Sequence, residues 1–174
     1  MSPRAVLVGL PGTGKTTAGR LLAQRLGVPF ADSDELVEAR TGRTVREIFD
    51  SDGEQVFRTA EAEAIAGALH GFDGVLALGG GAILTAATRT ALAASGVPVV
   101  LLQADLPVLQ QRVGPAQERP LLTADPPGRL AALAVQREPL YRSVATVAVD
   151  TGRGSAAEVA AVIEDALAAP AWQT

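Results

Sequence analysis

Cysteine is absent from this sequence, lysine and histidine occur once each, as Lys15 and His70, and aromatic side chains make up only 3% of 174 residues. Each scarcity excludes a chemistry. Without cysteine there is no disulfide framework, no thiolate zinc site and no cysteine nucleophile. A single histidine excludes two-histidine metal sites and leaves only His70 for a Ser–His–Asp arrangement. His70 follows a helical pattern and precedes Gly71, so it reads as a cation at a helix C-terminus. General-base work therefore falls mainly to carboxylates. No apolar run reaches the roughly 18 residues of a membrane span, and no charged-then-apolar leader precedes the first motif. Together these predict a soluble, cytoplasmic protein with no membrane partner. Nineteen acids against fifteen bases give a net charge of −4 without a basic block. No nucleic-acid partner is expected of such a chain.

A length of 174 residues suits one domain with a sizeable core, and 48% hydrophobic with 20% charged residues is ordinary for a globular chain. Fourteen of the fifteen basic residues are Arg and 33 residues are Ala, a compositional bias that carries no mechanism. Short apolar runs alternate with longer helical patterns, which argues for an α/β fold with a parallel sheet. Strands are predicted at 5–8, 28–31, 75–78, 97–102 and 146–149. Helices are predicted at 15–26, 35–40, 54–69, 85–94, from Asp105 to about Val113, and at 129–142, where Pro139 perturbs the pattern. The capping boxes Thr44-x-x-Glu47 and Ser155-x-x-Glu158 open a further short helix and a C-terminal helix that reaches Ala169. Residues 114–128 hold Pro115, Pro120, Pro126 and Pro127 among polar residues, a break typical of a lid or a linker. The tail 170–174 is expected to fray. The expected architecture is a single doubly wound domain over 1–174, with a five-stranded parallel sheet flanked by helices and right-handed connections.

Gly9-Leu10-Pro11-Gly12-Thr13-Gly14-Lys15-Thr16 matches the phosphate-binding pattern G-x-x-x-x-G-K-[ST] throughout. The glycines let the backbone curl and turn N–H groups toward phosphate oxygens, and the following helix N-terminus favours negative charge. Lys15 reaches the β- and γ-phosphates, and the Thr16 hydroxyl can ligate Mg²⁺. A lone Lys dropped at random among fifteen basic positions would land here about one time in fifteen. A planar guanidinium does not replace a compact ammonium in such a loop. The motif alone does not separate a kinase from a GTPase or a mechanical ATPase.

Asp32-Ser33-Asp34 ends the second strand, where ligands of open α/β sheets bind. Two carboxylates two apart on an extended segment can face similar directions, one toward a metal and one toward an acceptor hydroxyl. The same acids also suit a helix N-cap and first turn. Gly79-Gly80-Gly81, after the third strand, either lets a ligand approach the main chain closely or makes a flexible turn. Arg58 and Arg137, on their own, read as surface helix residues paired with neighbours such as Glu54 or Glu61.

The order of these pieces is more specific than any one of them. Gly9 to Thr17, Asp32-x-Asp34, Gly53-Glu54 with Phe57-Arg58 and Glu61, Gly79-Gly80-Gly81, Arg119-Pro120-Leu121-Leu122 and Arg137-x-Pro139-Leu140-Tyr141 occur in sequence. Together they resemble shikimate kinase from about Ala5 to Val149. The resemblance implies a P-loop kinase fold with a lid at 112–127 and an acceptor-binding region at 33–61. It implies transfer of the γ-phosphoryl group of ATP to the 3-hydroxyl of shikimate, on the route to chorismate and the aromatic amino acids.

It also implies roles. Gly12, Thr13, Gly14, Lys15, Thr16 and Thr17 hold ATP. Asp34 holds ring hydroxyls and can accept the proton of the attacking one. Arg58 and Arg137 hold the carboxylate, for which a guanidinium is suited by its bidentate geometry. Gly80 and Gly81 offer backbone contacts to the acceptor. Thr16 ligates Mg²⁺ and Asp32 assists through water. Arg119 is a lid residue that meets the transferring phosphate, making it catalytic together with Lys15 and Asp34. Arg112 is an adenine-stacking residue or an exposed helix-end Arg. A second adenine neighbour falls at Arg153 or one position from it. The segment Gly114-Pro115-Ala116-Gln117-Glu118 departs from the family by placing a rigidifying Pro and an acid beside the lid Arg. A monomer is implied, and no heptad seam argues against it. Alternatives are another small-molecule P-loop kinase, such as a gluconate or adenylylsulfate kinase, and a P-loop ATPase switch. The carboxylate-binding Arg pair disfavours a nucleotide acceptor. The switch would need an N-K-x-D motif or a strand-borne acid near Leu78, and the sequence has neither.

Overall fold

A computed structural model of the chain describes residues 1–113 and 126–169. The lid residue Arg119, nearly all of the expected lid segment and the tail 170–174 lie outside them. Five strands form one parallel sheet: β1 (Ala5–Val8), β2 (Phe30–Asp32), β3 (Val75–Ala77), β4 (Val99–Gln103) and β5 (Val147–Asp150), in the order β2-β3-β1-β4-β5. In register, Leu7 lies between Ala77 and Val100, Asp32 lies opposite Ala77, and Gln103 lies opposite Asp150. The helices are α1 (Lys15–Leu26), α2 (Ser33–Thr41), α3 (Val45–Asp52), α4 (Glu54–Gly71), α5 (Ala86–Ser95), α6 (Leu106–Val113), α7 (Pro126–Val144) and α8 (Ala156–Ala168).

The period-2 alternation of side chains along each strand sorts the core into two layers. Val6, Val8, Leu76, Leu78, Val99 and Leu101 pack with Ile65, Leu69, Leu92, Tyr141 and Val144 of α4, α5 and α7. Ala5, Leu7, Val75, Ala77, Val100 and Leu102 pack with Ala18, Leu22, Val159 and Ile163 of α1 and α8 on the other face. Both faces are dry, which explains why the strands read as apolar runs. A separate small core of Val37, Ile48, Phe57 and Ala64 joins α2, α3 and α4. It holds the 33–61 region as one unit.

Several boundaries differ from the sequence reading for local reasons. Helix α2 begins at Ser33, because the Asp32 carboxylate accepts a hydrogen bond from the Asp34 N–H at 2.9 Å and caps the helix. Asp32 is therefore extended while Asp34 is already helical, and the two do not share one extended segment. Helix α7 starts at Pro126, inside the stretch expected to be irregular; proline is tolerated in a first turn. It also runs through Pro139. The carbonyl that Pro139 deprives of a donor is that of Val135, at an exposed position where water can serve it. A 3₁₀ turn at Ala82–Leu84, not foreseen, follows the glycine run. Both expected capping boxes form, with Thr44 and Ser155 accepting from the Glu47 and Glu158 N–H groups. None of the described helices is long and apolar enough to cross a membrane.

Two helical glycines give opposite expectations. Gly19 of α1 faces the Phe30 ring, and a Cβ there would stand 2.6 Å from Phe30 Cε2 and 3.0 Å from Leu7 Cδ1. Gly67 of α4 faces open space. Helix propensity alone favours Ala at both, by about 1 kcal/mol. We expect Gly67→Ala to stabilise the fold by about 0.5–1 kcal/mol. Gly19→Ala should destabilise it by about 1–3 kcal/mol through overpacking. Chemical denaturation of both variants measures this, and an increase in stability for Gly19→Ala would contradict the packing described.

Candidate active site

The sheet order places β1 between β3 and β4, so the connection from β1 runs toward β2 on one side while that from its neighbour β3 runs to β4 on the other, which opens a crevice at the carboxyl ends of β1 and β3. A cleft of about 1160 Å³ occupies this position. Its lining includes the loop after β1, then Asp32, Asp34, Phe49, Phe57, Arg58, Glu61, Gly79, Gly80, Gly81 and Arg137, and also Arg112, Thr151 and Gly154.

The loop geometry follows from its glycines. Gly12 and Gly14 have φ of 85° and 87°, a region closed to most side chains. Gly14 precedes α1 without any side-chain cap, so the first N–H groups of the helix remain available to an anion. The buried Thr13 hydroxyl donates to the Leu10 carbonyl at 2.8 Å and braces the curl. The Lys15 ammonium donates to the Gly9 and Leu10 carbonyls at 2.8 and 3.0 Å and so lies across the loop. Thr16 Oγ1 and Asp32 Oδ2 are 3.5 Å apart, which brings the two proposed metal residues together. Thr17 also lines the cleft.

Gly79, Gly80 and Gly81 have no positive φ. Their requirement is room rather than conformation. A Cβ on Gly79 would stand 3.0 Å from Asp34 Oδ1 and 3.1 Å from Glu61 Oε1. One on Gly80 would stand 3.2 Å from Arg137 Nη1, and one on Gly81 would overlap the Arg58 guanidinium. Each glycine thus leaves the space that a charged side chain of the cleft fills. The turn itself is fixed: Ser33 Oγ accepts from the Gly79 N–H at 2.8 Å, and Tyr141 donates to the Gly80 carbonyl at 2.6 Å. Arg89 donates to the Ile83 and Leu84 carbonyls just beyond it. A flexible turn does not describe this segment.

Arg58 does pair with Glu54 and Glu61 of its own helix, at 3.4 and 2.7 Å, but the pair with Glu61 is buried rather than on the surface. Arg58, Arg137 and Glu61 are 8%, 4% and 1% exposed. Among the described residues, the buried Nε of each guanidinium and Oε1 of Glu61 have no hydrogen-bond partner. Buried polar atoms of this kind are costly in a folded chain and are common where a ligand completes the network. Burial pushes the Glu61 carboxyl up to about 7, outweighing the attraction of Arg58. Burial, followed by repulsion from Asp32, pushes Asp34 up to about 6. Asp32 is raised as well, mainly by burial.

At the far end, Arg112 donates to the Thr151 carbonyl at 2.5 Å and to the Gly12 carbonyl at 3.4 Å. It is neither a buried residue nor an unattached helix-end Arg, since it ties the phosphate loop to the segment after β5. Arg153 is exposed, and the neighbouring Gly154 lines the cleft. The structure therefore brings together every described residue expected at the site except Arg153, which sits at its edge. The sequence reading gave Glu61 no role of its own, although its i+3 spacing from Arg58 was a signal. Ser33 and Arg89 gave no signal, because their partners are main-chain atoms, distant in sequence for Ser33 and in an unforeseen turn for Arg89.

Comparison with known proteins agrees with this geometry. The sequence profile of the family described as shikimate kinase matches residues 11–168. The chain is 48% identical to the shikimate kinase of Thermobifida fusca over 167 residues, covering 96% of each. It is 51% identical to that of Frankia casuarinae over 162 residues, 93% of this chain and 71% of the relative. Among solved structures, the shikimate kinase from Acinetobacter baumannii in complex with shikimate superposes with a TM-score of 0.87 at 38% identity, over 97% of this chain and 93% of that one. A five-stranded parallel sheet with the phosphate loop, acid pair and glycine turn at one crevice, a family profile over residues 11–168 and a relative 48% identical over 96% of each chain lead to one conclusion: this chain belongs to the shikimate kinase family.

Proposed function

We propose that the protein transfers the γ-phosphoryl group of ATP to the 3-hydroxyl of shikimate, in the cytoplasm and as a monomer. The observation that carries this reading is the acceptor end of the cleft. Two buried guanidiniums, Arg58 and Arg137, flank a side-chain-free turn at Gly80 and Gly81, while the Asp34 carboxylate faces the same turn at Gly79. A small ring carrying one carboxylate and several hydroxyls matches that arrangement. The guanidiniums take the carboxylate in charge-assisted hydrogen bonds, and Asp34 orients the hydroxyls.

ATP binds along the phosphate loop and the open N-terminus of α1, through Gly12, Thr13, Gly14, Lys15, Thr16 and Thr17. Arg112 and the 151–154 segment lie at its base end, and Arg119, in the 112–127 lid, serves the transferring phosphate. A Mg²⁺ ion suits the oxygen donors Thr16 and Asp32. Among the described residues, no group of three or more His, Asp and Glu side chains forms a metal cage. The ion would accordingly be held by Thr16, by Asp32 through water and by phosphate oxygens, and it supplies charge neutralisation when bound. The chain's own contribution is positioning and charge. Asp34, within 33–61, orients the attacking hydroxyl and accepts its proton. Arg58 and Arg137 fix the ring, and Lys15 offsets charge on the transferring group.

A coupled ADP-release assay offering shikimate, quinate, gluconate and nucleoside monophosphates in parallel tests the reading. Shikimate should give by far the largest kcat/KM, and turnover of gluconate without turnover of shikimate would sink it. Lys15→Ala should lose at least 100-fold in kcat, on the order of 3 kcal/mol of transition-state stabilisation. Arg58→Ala should raise KM for shikimate more than 10-fold and leave KM for ATP nearly unchanged.

The raised carboxyls also give the fold a pH signature. Glu61 titrates at about 7 in the folded chain against an ordinary value of 4.5. The native state therefore binds more protons than the unfolded state between those values, and stability falls as pH rises through that window and levels off above it. Glu61→Gln should flatten this fall, by an amount on the order of 1–3 kcal/mol. Denaturation midpoints from pH 4.5 to 8 measure it, and an unchanged slope in the variant would contradict the burial of a titrating Glu61.

A further inference from the structure

Tyr141 is the only tyrosine of the chain, and nothing in the phosphoryl-transfer reading uses it. Its ring belongs to the core layer of β1, β3, α4 and α5, with 2% of the residue exposed. Its hydroxyl leaves that core and donates to the Gly80 carbonyl at 2.6 Å. Arg137 precedes Tyr141 by four residues on α7, so both side chains leave the same face of that helix. Gly80 sits between them. Its carbonyl receives the phenol, and the space of its missing Cβ is taken by Arg137 Nη1.

Helix α7 therefore grips one peptide of the glycine turn with two side chains, only one of which is a ligand-binding cation. The two side chains also act on each other, since the Arg137 guanidinium, by its charge and a hydrogen bond, partly offsets the effect of burial on the phenol, while the Arg137 Nε is left without a partner among the described residues. The phenol supplies the donor that the Gly80 carbonyl needs. Burial pushes Tyr141 up to about 12, so its hydroxyl keeps its proton at any working pH. A phenylalanine would fill nearly the same core volume and leave the Gly80 carbonyl without that donor.

We infer that Tyr141 is a positioning residue for the acceptor: it fixes the Gly80 peptide and, through it, the distance between that backbone and the Arg137 guanidinium. The inference rests on the reading that Gly80 and Arg137 serve the acceptor. It predicts an effect on one substrate only. Tyr141→Phe should raise KM for shikimate roughly 5- to 20-fold, with KM for ATP and kcat within about threefold of the wild type. A residue that merely supports the core would lower the denaturation midpoint and leave both KM values in place. That result would overturn the inference, as would equal increases in the two KM values.

The wild type separates the two levels of the argument. No shikimate-dependent ADP release by the wild type would refute the functional reading itself, whereas turnover of shikimate with unaltered KM in Tyr141→Phe would refute only the role of Tyr141. A second measurement does not depend on the variant folding. Because the chain has one tyrosine, growth on 3-fluorotyrosine labels this position alone. The ¹⁹F resonance of the labelled enzyme should move when shikimate is added. A resonance that stays in place at saturating shikimate, in enzyme that turns shikimate over, would overturn the inference.

Discussion

The architecture of the cleft depends on a constraint of space: the three successive glycines after β3 leave room for charged side chains, with an outright clash at Gly81 and tight contacts at Gly79 and Gly80 if a Cβ were present. Asp34 and Glu61 come in against Gly79, Arg137 against Gly80 and Arg58 against Gly81. These four charges arrive from α2, α4 and α7, elements far apart in sequence. They can share one small volume only because the turn between them presents bare backbone. A single Cβ at Gly81 would displace the Arg58 guanidinium, and with it the pairing to Glu61. The glycine run is usually thought of as freedom of the chain. Here it is the opposite, a segment braced by Ser33, Tyr141 and Arg89 whose emptiness is the functional property.

Crowding charges into a dry crevice has an electrostatic consequence. Burial raises Asp34 and Glu61 well above ordinary carboxylates, although two guanidiniums are near. The balance is tuned by geometry: Glu61 gives one oxygen to Arg58 and keeps the other unpartnered among the described residues, and both buried arginines keep an unpartnered Nε. Such a network is unsatisfied in isolation and gains most from a ligand that carries both a carboxylate and hydroxyls. The overall net charge of −4 says little about this site, where acids and bases alternate within a few ångströms.

The scaffold holds these groups by two different means. The sheet and its flanking helices fix the phosphate loop, Asp32 and the glycine turn at the ends of adjacent strands β1, β2 and β3. The smaller core of Val37, Ile48, Phe57 and Ala64 carries Arg58 and Glu61 on its own packing. Helix α4 joins the two, since its Ile65 and Leu69 pack into the main core beside β1 and β3 while its Phe57 and Ala64 belong to the smaller one.

The sequence by itself determined the phosphate loop, the strand–helix alternation, both capping boxes and the family. These are local: a fixed spacing of Gly, Lys and Thr, a period of two or of three to four, or a Ser/Thr three residues before a Glu specifies its structure without distant partners. It also offered Asp34 as a candidate site residue from its place at a strand end, and Arg58 and Arg137 only through the order of motifs. Read alone, Arg58 belonged with the surface pairs. The tertiary structure decided the rest. It showed that the Arg58–Glu61 pair is buried, that Gly19 is needed by Phe30 while Gly67 faces open space, and that the triple glycine makes room for side chains. It also turned Tyr141 toward Gly80 and tied Arg112 to the phosphate loop. All of these depend on which atoms of distant elements come together, and burial and steric room belong to the packed chain rather than to any stretch of its sequence.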